Sequence, residues 1–460
     1  MDEMKKELFY TQKNGYDLID VKERVACEDY CKGYMKYLSA ARTEREAVSE
    51  AIKLAEAAGF EPLTEKTGAL KPGQKVYYSN RGKSLILAVG GKKPMAEGCV
   101  ITAAHIDAPR LDLKQLPLYE DSELAYFRTH YYGGIKKYQW TAIPLELHGT
   151  AVLADGTAVE VSIGREKDDP QFVITDLLPH LAKDQLKKNL DTGIEGEKLC
   201  ILIGSVPYAG EGSDRVKLAV MSLLNERYGI TEEDFISAEL EAVPAFDVRE
   251  VGLDRSLIGG YGQDDRVCAY AELAAILETK APARTAVCIL ADKEEIGSEG
   301  VTGMTSRAFE HFMERVIGGA CSVQECFSHS FCVSADVTAA LDPLYAEVSE
   351  KQNAAKINYG VGLCKFTGSR GKSGSSDASA EVVGEIRRVC EKAGVVWQMC
   401  ELGKVDQGGG GTVAMFMAQR DIDTIDAGVP VLSMHAPFEI TAKFDCYMTY
   451  KCMKAAYSGK

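Results

Sequence analysis

The sequence lacks several features that mark whole classes of protein. No run of about 18 consecutive apolar residues occurs, which argues against a membrane-spanning helix. Basic residues are in the minority, with 53 Lys and Arg against 68 Asp and Glu and a formal net charge of −15. Such an excess of negative charge disfavours general binding to nucleic acid or to anionic membrane, because phosphate groups attract Lys and Arg. We therefore expect neither a nucleic-acid partner nor a membrane partner.

Cysteine pairs of the metal-ribbon and redox types are also missing. The 14 cysteines of this 460-residue chain are scattered, and no Cys-x-x-Cys occurs. Their spacing does not match the usual zinc-ribbon and thioredoxin-type signatures. The first residues, MDEMKKELFYTQKNG, contain no apolar stretch of signal-peptide length before the charged residues. These observations lead us to expect a cytoplasmic protein whose cysteines are reduced and mostly buried.

Common catalytic and nucleotide-binding signatures are absent as well. The sequence contains neither the HExxH motif of thermolysin-type metalloproteases nor the GxSxG elbow of α/β-hydrolases. Two Gly-Lys-Ser strings, at 82–84 and 371–373, lack the glycine that a phosphate-binding loop places five residues earlier. The glycine run 408–411 does not have GxGxxG spacing, so a dinucleotide site has little support.

Apolar runs that alternate with helical patterns predict an α/β protein. Residues 42–58 and 267–277 have helical spacing, whereas residues 99–104, 286–291 and 330–335 are apolar at nearly consecutive positions. The second pattern is typical of strands buried on both faces of a sheet. We therefore predict an α/β/α sandwich built on a mixed sheet.

The middle of the chain has a different pattern. Residues 145–152 and 158–163 flank Asp155-Gly156, a dipeptide typical of hairpin turns. Several such β-type segments, with few long helices among them, indicate a second, mainly β domain inserted into the first. We predict a discontinuous domain of residues 1–113 and 248–460, with residues 114–247 as the insertion.

Polar residues that could carry chemistry lie at or near the ends of apolar runs, or just before a helical pattern. In chain order they are His105, Asp107, Asp264, Glu294, Glu295, Asp336 and His435. Each has an ordinary explanation, such as a hydrogen-bonded core histidine, acids in the first turn of a helix, or a solvated acidic turn. So many polar positions of this kind in one α/β domain are harder to explain in that way, since open sheets place their sites at strand ends.

Together these residues supply the donors that a pair of divalent metal ions needs. Two imidazoles and several carboxylates are ligands that Zn²⁺ and similar ions accept, and one glutamate is left over as a possible base. A metal-ligating histidine usually donates its other ring N–H to a hydrogen-bond acceptor, a role open to Asp107 beside His105. Adjacent Glu294 and Glu295 would repel each other strongly when buried unless cations neutralised them.

Four motifs in combination resemble those of a known enzyme family. TAAHIDAPRLDLK, DKEEIGSEG, SADV and MHAP are similar, in the same order, to motifs of the aspartyl aminopeptidase family of dinuclear zinc metallopeptidases, which includes the vacuolar aminopeptidase I type. The resemblance spans most of the chain. The string GQDDR differs from the family's more usual Asp-Asn and is closer to the Asp-Asp-Arg of related tetrahedral aminopeptidases.

The resemblance implies a metal-binding role for five residues. His105 and Asp336 would bind one ion, Glu295 and His435 would bind the second, and Asp264 would bridge the two. Zn²⁺ is the expected ion, and Mn²⁺ or Co²⁺ would accept the same donors.

It also implies roles in catalysis and substrate binding. Glu294 would be the general base, and Asp107 would orient His105. Lys365 resembles a family lysine near the substrate pocket, although it has the alternative of pairing with Asp377. His180, in the segment PHLAKD, resembles a family histidine that reaches the active site of a neighbouring subunit. The family often has another histidine four residues later, where this chain has Asp184.

The implied function is a metal-dependent aminopeptidase that removes the N-terminal residue from peptides, with Asp and Glu as the candidate N-terminal residues. The implied assembly is a homo-oligomer in which dimers pair through the inserted domain and build a tetrahedral dodecamer. A related dinuclear-metal aminoacyl deacylase and a non-catalytic self-assembling cage are the alternatives. The presence of Glu294 and of all five implied ligands favours catalysis over the cage.

Overall fold

The computed structural model of this protein describes residues 2–65 and 67–459. The α-helices of this part of the chain are α1 (Asp2–Leu8), α2 (Val21–Ala40), α3 (Glu44–Ala57), α4 (Leu190–Gly193), α5 (Arg215–Tyr228), α6 (Gln263–Glu278), α7 (Ala308–Ile317), α8 (Val323–Ser328), α9 (Ala380–Ala393), α10 (Val413–Ala418) and α11 (Lys443–Ser458). Its strands are β1 (Glu61–Pro62), β2 (Lys75–Asn80), β3 (Ser84–Val89), β4 (Val100–His105), β5 (Arg110–Asp121), β6 (Leu124–Tyr132), β7 (Leu145–Val152), β8 (Ala158–Ile163), β9 (Cys200–Gly204), β10 (Ala238–Pro244), β11 (Arg249–Val251), β12 (Leu257–Gly260), β13 (Ala286–Ala291), β14 (Phe331–Ser334), β15 (Thr338–Ala339), β16 (Val361–Cys364), β17 (Trp397–Met399), β18 (Asp423–Gly428), β19 (Pro430–Leu432) and β20 (Glu439–Ala442).

Nine of these strands form a central mixed sheet in the order β1-β2-β3-β13-β4-β14-β18-β16-β17. The middle strands β13, β4, β14 and β18 are parallel to one another, whereas β3 and β16 are antiparallel to them. β3, β4 and β13 are buried along their whole length. This burial on both faces explains why the sequence shows apolar residues at consecutive positions in these segments.

Helices cover both faces of the central sheet. Along β13, alternate residues beginning with Ala286 join an apolar core with residues of α2, α3, α6, α9 and α11. The residues between them, beginning with Val287, join a second core with residues of α7, α8 and α10. Because successive side chains of a strand point to opposite faces, the sheet is the middle layer of an α/β/α sandwich. The predicted fold class is confirmed.

Residues 110–244 supply a second, fully antiparallel sheet in the order β8-β7-β10-β5-β6-β9. It has an apolar core of its own, which includes Trp140, Leu147 and Ile201. A 14-residue helix, α5, also lies in this part of the chain. The domain limits at 113/114 and 247/248 stay a prediction, and β5 begins slightly before the first of them.

A third sheet of five short strands, in the order β11-β12-β20-β19-β15, borders the central sheet. Three of its strands adjoin predicted site residues in the sequence. β12 precedes Asp264, β15 follows Asp336, and β20 follows His435. Hydrogen bonding within this sheet therefore brings the segments of Asp264, Asp336 and His435 close to one another.

Two long helices, α2 and α11, have no counterpart in the sequence-based prediction. Nearly every residue of α11 from Lys443 to Tyr457 is buried. A helix that is buried all round lacks the one-sided apolar pattern by which surface helices are recognised.

Within the described residues, no helix has both the length and the apolar composition that crossing a bilayer requires. Of the fourteen cysteines, only Cys200 and Cys321 are partly exposed, so the expectation that most are buried is confirmed.

Candidate metal centre

Strand ends place four of the predicted residues at one edge of the central sheet. His105 is the last residue of β4, Glu294 and Glu295 follow β13 within four residues, and Asp336 follows β14 by two. β13, β4 and β14 are parallel neighbours, so their carboxyl ends meet at the same edge. The sheet therefore gathers residues that are far apart in the sequence.

Asp264 and His435 reach the same place from the five-stranded sheet. Asp264 lies at the start of α6, just after β12, and His435 lies between β19 and β20. One carboxylate oxygen of Asp264 is 3.2 Å from Nε2 of His105, and the other is 3.1 Å from Nε2 of His435. Asp264 therefore faces a different histidine with each oxygen, which is the arrangement expected of a bridging ligand.

Two groups of possible metal ligands share Asp264. One group consists of His105, Asp264 and Asp336, and the other of Asp264, Glu295 and His435. Within each group, one ligand atom from each residue lies within 4.8 Å of the others. The structure thus brings together all five residues that the family resemblance assigned to metal binding.

Asp107 connects His105 with the segment that carries the two glutamates. Its Oδ1 lies 3.2 Å from Nδ1 of His105, and its Oδ2 accepts a hydrogen bond from the Tyr132 hydroxyl at 2.7 Å. Its two oxygens also accept the backbone N–H groups of Glu294 and Glu295, each at 3.2 Å. Burial opposes ionisation, but the hydrogen bond and charge of His105 and the hydrogen bond from Tyr132 hold the pKa of Asp107 below its usual value. Nδ1 of His105 also lies 3.0 Å from the backbone carbonyl of Asp107. Asp107 can therefore accept the Nδ1 proton of His105 and leave Nε2 to face Asp264.

Negative charge is crowded at this edge. Burial raises the pKa of Glu295 and of Asp336 well above the usual range, and neighbouring carboxylates raise both further. Burial also raises the pKa of Glu294 to about 7. Acidic groups that are buried together resist ionisation unless positive charge is placed between them.

The donor set fits divalent cations. Among the described residues, the ion-pair partners of Asp264 are the two histidines. In the same part of the chain, Oε1 of Glu295 is buried and receives no hydrogen bond. A divalent cation in each group would neutralise the carboxylates, and the cation in the group of His435 would bind this oxygen of Glu295.

Comparison with known protein families agrees with this chemistry. Residues 37–457 match the family described as aminopeptidase I zinc metalloprotease (M18). The chain belongs to the M18 aminopeptidase family. A probable M18 family aminopeptidase 1 from Clostridium acetobutylicum is 49% identical over 455 residues, which cover 97% of this chain and 98% of the relative.

Solved structures agree with the family assignment. The crystal structure of an M18 family aminopeptidase from Thermotoga maritima is 45% identical, with a TM-score of 0.93 and coverage of 98% of this chain and 99% of that chain. The S. cerevisiae mApe1 dodecamer has the same fold at 19% identity, with a TM-score of 0.74 over 93% of this chain and 96% of that chain. The protein is thus a metal-dependent M18 aminopeptidase, a hydrolase of the exopeptidase class. The predicted family and enzyme class are confirmed.

Beside the predicted ligands of this M18 aminopeptidase lies a buried acid that the sequence analysis missed. Glu439 accepts the backbone N–H of His435 at 2.7 Å with one oxygen and that of Asp264 at 3.1 Å with the other. One carboxylate therefore holds the backbone of two predicted ligands that come from different segments. The only sequence signal was an acid four residues after His435, at the start of β20.

We expect Glu439→Gln to weaken Zn²⁺ binding by about 10-fold or more, the usual effect of losing a group that orients metal ligands. An amide can accept only one of the two backbone N–H groups and turns its own NH₂ toward the other. Calorimetric titration of the metal-free protein would measure the change. Asp445→Asn is the matched control, because Asp445 is buried and accepts the N–H groups of Asn358 and Gly360 at 2.8 and 2.7 Å. Equal weakening in both variants would show that Glu439 has no specific role.

Two predicted substrate residues do not join the cluster. His180 lies in the exposed loop between β8 and β9, and Lys365 follows the end of β16 with its side chain exposed. In the described part of the chain, no hydrogen bond or ion pair links either side chain to the predicted ligands. Asp377 pairs with Lys372 at 3.1 Å rather than with Lys365. Contact of His180 and Lys365 with substrate stays a prediction.

Proposed function

We propose that this M18 aminopeptidase holds two divalent metal ions and uses Glu294 as its general base. The ligand sets would share Asp264 and would otherwise be His105 with Asp336, and Glu295 with His435. The observation that carries the proposal is the placement of Asp264, whose two oxygens face two different histidines. The family description supports zinc as the ion, and Mn²⁺ or Co²⁺ would fit the same nitrogen and oxygen donors.

When bound, the ions would lower the pKa of a water molecule and polarise the substrate carbonyl. Glu294 would accept the proton of the attacking water and pass it to the departing amine. Its carboxylate belongs to neither ligand group, and one oxygen lies 3.8 Å from Nε2 of His105. The Glu294 side chain is 17% exposed against 4% for Glu295. That difference favours Glu294 as the glutamate that reaches substrate and Glu295 as the ligand.

The proposed substrates are peptides with a free N-terminal amine, and Asp and Glu are the candidate residues in first position. The test is to remove metal with a chelator, restore Zn²⁺, Mn²⁺ or Co²⁺ separately, and assay Asp-, Glu-, Leu-, Lys- and N-acetyl-Leu-amides. We expect amide hydrolysis of the free-amine substrates alone. Removal of the acetyl group instead would favour the aminoacyl deacylase. No hydrolysis of any substrate with metal bound would contradict the proposed chemistry.

For the acidic preference, we expect Lys365→Ala to raise KM about 10-fold for Asp- and Glu-amides, because loss of one charge contact costs about 1.4 kcal/mol or more. Turnover of the Leu-amide should not change. Lys372→Ala is the control from the same region, since Lys372 already pairs with Asp377. Equal KM values for the Asp-amide in the wild type and Lys365→Ala would exclude Lys365 from substrate recognition.

We also propose that the protein forms a homo-oligomer, with dimers pairing through residues 114–247 and assembling into a tetrahedral dodecamer. Support comes from the dodecameric relative mApe1 and from an exposed apolar segment at residues 177–190. Five leucines of this segment are between 50% and 76% exposed, which is typical of a surface that another chain covers. His180 lies in the same segment and could reach a neighbouring subunit.

We also propose that the protein is located in the cytoplasm, because unpaired thiols are typical of a reducing compartment.

For assembly, we expect Leu181→Asp combined with Leu186→Asp to replace the large particle with smaller species. Carboxylates buried in a subunit contact would cost more free energy than the contact provides. Light scattering after size-exclusion chromatography would give the mass, about 600 kDa for twelve chains of 50.0 kDa. Leu253→Asp is the control, because Leu253 is fully exposed in the β11–β12 hairpin, outside the proposed interface. A double variant that keeps the wild-type mass would exclude this segment from assembly.

A further inference from the structure

The chain segment Tyr132–Gly134 lies against the metal cluster although it ends a strand of the six-stranded sheet. β5 leaves the cluster at Arg110, three residues after Asp107. β6 runs back antiparallel to β5, with Tyr132 paired to Arg110. A hairpin returns the chain to the place where it departed, so residues 132–134, here called the return segment, arrive beside the predicted ligands.

The first contact of the return segment is made by the hydroxyl of Tyr132. It donates to Asp107 at 2.7 Å, and Asp107 in turn faces Nδ1 of His105 at 3.2 Å. The guanidinium of Arg110 lies over the Tyr132 ring, 3.8 Å from its centre. Arg110 is itself buried and paired with Glu241 at 3.2 Å. The ring is therefore held in the orientation that directs its hydroxyl to Asp107.

The second contact is made by the backbone carbonyl of Gly134. It lies 2.8 Å from Nδ1 of His435, which donates its proton there. Because Nδ1 donates there, Nε2 is the nitrogen that faces Asp264 and is left to bind a metal. His435 therefore takes its tautomer and ring orientation from a residue of the six-stranded sheet.

The third contact is the close approach of Gly133 to Glu295. Gly133 has a φ of 73°, which favours glycine. A Cβ at this position would lie 3.2 Å from both Cβ and Oε2 of Glu295, and 3.5 Å from Cα of Pro109. Any larger residue would press on the Glu295 side chain, so the glycine lets the return segment lie directly beside this carboxylate.

We infer that the return segment positions ligands of both metal sites. Tyr132 acts on His105 through Asp107, while Gly133 and Gly134 act on Glu295 and His435. The six-stranded sheet, proposed above as an assembly element, is thereby also part of the metal centre. This inference rests on the ligand sets of the proposed function.

The test is the Zn²⁺ affinity of the full-length, metal-free protein, measured by competition with a chromophoric chelator that resolves two binding steps. Tyr132→Phe removes one hydroxyl and should weaken one step by about 10–100-fold. Gly133→Ala should weaken the other step by a similar factor. Each variant should also change the visible absorption of the Co²⁺-loaded protein, which reports the geometry of the ligands. A general loss of stability would weaken both Zn²⁺-binding steps in each variant rather than one of them.

Two matched controls separate this role from a purely structural one. Thr129→Val removes a buried hydroxyl from the same strand, where Thr129 donates to the carbonyl of Leu199 at 2.5 Å. Gly156→Ala places alanine at a φ of 87°, with no atom of the described residues within 4 Å of the new Cβ. Both controls should keep the wild-type affinities.

The inference would be overturned if Tyr132→Phe and Gly133→Ala bound two ions with unchanged affinities and unchanged Co²⁺ spectra. That result would leave the proposed function intact. Equal weakening in the controls would overturn it as well. A wild-type protein that binds fewer than two ions would instead remove the proposed function, and the inference with it.

Discussion

Replacing Glu294 with glutamine should lower kcat by about 10²–10⁴-fold while both metal ions stay bound, because general-base catalysis contributes roughly this factor. Glutamine has nearly the same shape, but its amide does not take a proton from water near neutral pH. Glu294 belongs to neither group of possible ligands, so metal content should not fall. Steady-state kinetics on the preferred free-amine substrate, together with elemental analysis of the same sample, would measure both quantities.

The control for this experiment lies in the same segment. Glu299 is exposed and five residues further along the chain, so Glu299→Gln should leave kcat unchanged. Wild-type turnover by Glu294→Gln would exclude Glu294 as the base. Loss of a metal ion from that variant would show that Glu294 is a ligand instead.

Asp264→Asn should remove both metal ions, whereas His435→Ala should remove only one. The carboxylate of Asp264 faces both histidines, and asparagine would replace one of its oxygens with an NH₂ group that cannot bind a metal. His435 belongs to only one ligand group. Elemental analysis after dialysis should therefore give two ions per chain for the wild type, none for Asp264→Asn and one for His435→Ala.

Asp265→Asn is the matched control for the bridging residue, because it makes the same change one position along and restores the family's more usual Asp-Asn. Asp265 is fully buried, and its burial raises the pKa of the carboxyl well above the usual range. A neutral acid and an amide are similar in size and charge, so this variant should keep both ions. Two ions in Asp264→Asn would contradict the bridging role, and full occupancy in His435→Ala would contradict its role as a ligand.

The sequence was enough to identify most of the residues that meet in the candidate metal centre, because strands buried on both faces leave a local signal. The apolar runs 99–104 and 286–291 correspond to β4 and β13, each to within one residue. Polar residues at or just after such runs lie at the sheet edge in any α/β fold of this type. His105, Glu294 and Glu295 could therefore be identified without knowing which strands are neighbours.

The six-stranded sheet shows the limit of that reasoning. The hairpin at Asp155-Gly156 was recognised, because both its strands and its turn are encoded locally. The role of Tyr132 was not, since it is one of 21 tyrosines and nothing near it in the sequence distinguishes it. Its place beside Asp107 depends on the pairing of Tyr132 with Arg110.

By itself, the sequence determined the fold class and the family, and it supplied the residues of the predicted metal centre, because each rests on local patterns of side chains. Only the tertiary structure decided how the predicted ligands are held. Glu439 acts through the backbone N–H groups of two distant residues, and Gly134 acts through its carbonyl. Every residue except proline has both backbone groups, so contacts of this kind leave no mark on the sequence and become visible only when the chain is folded.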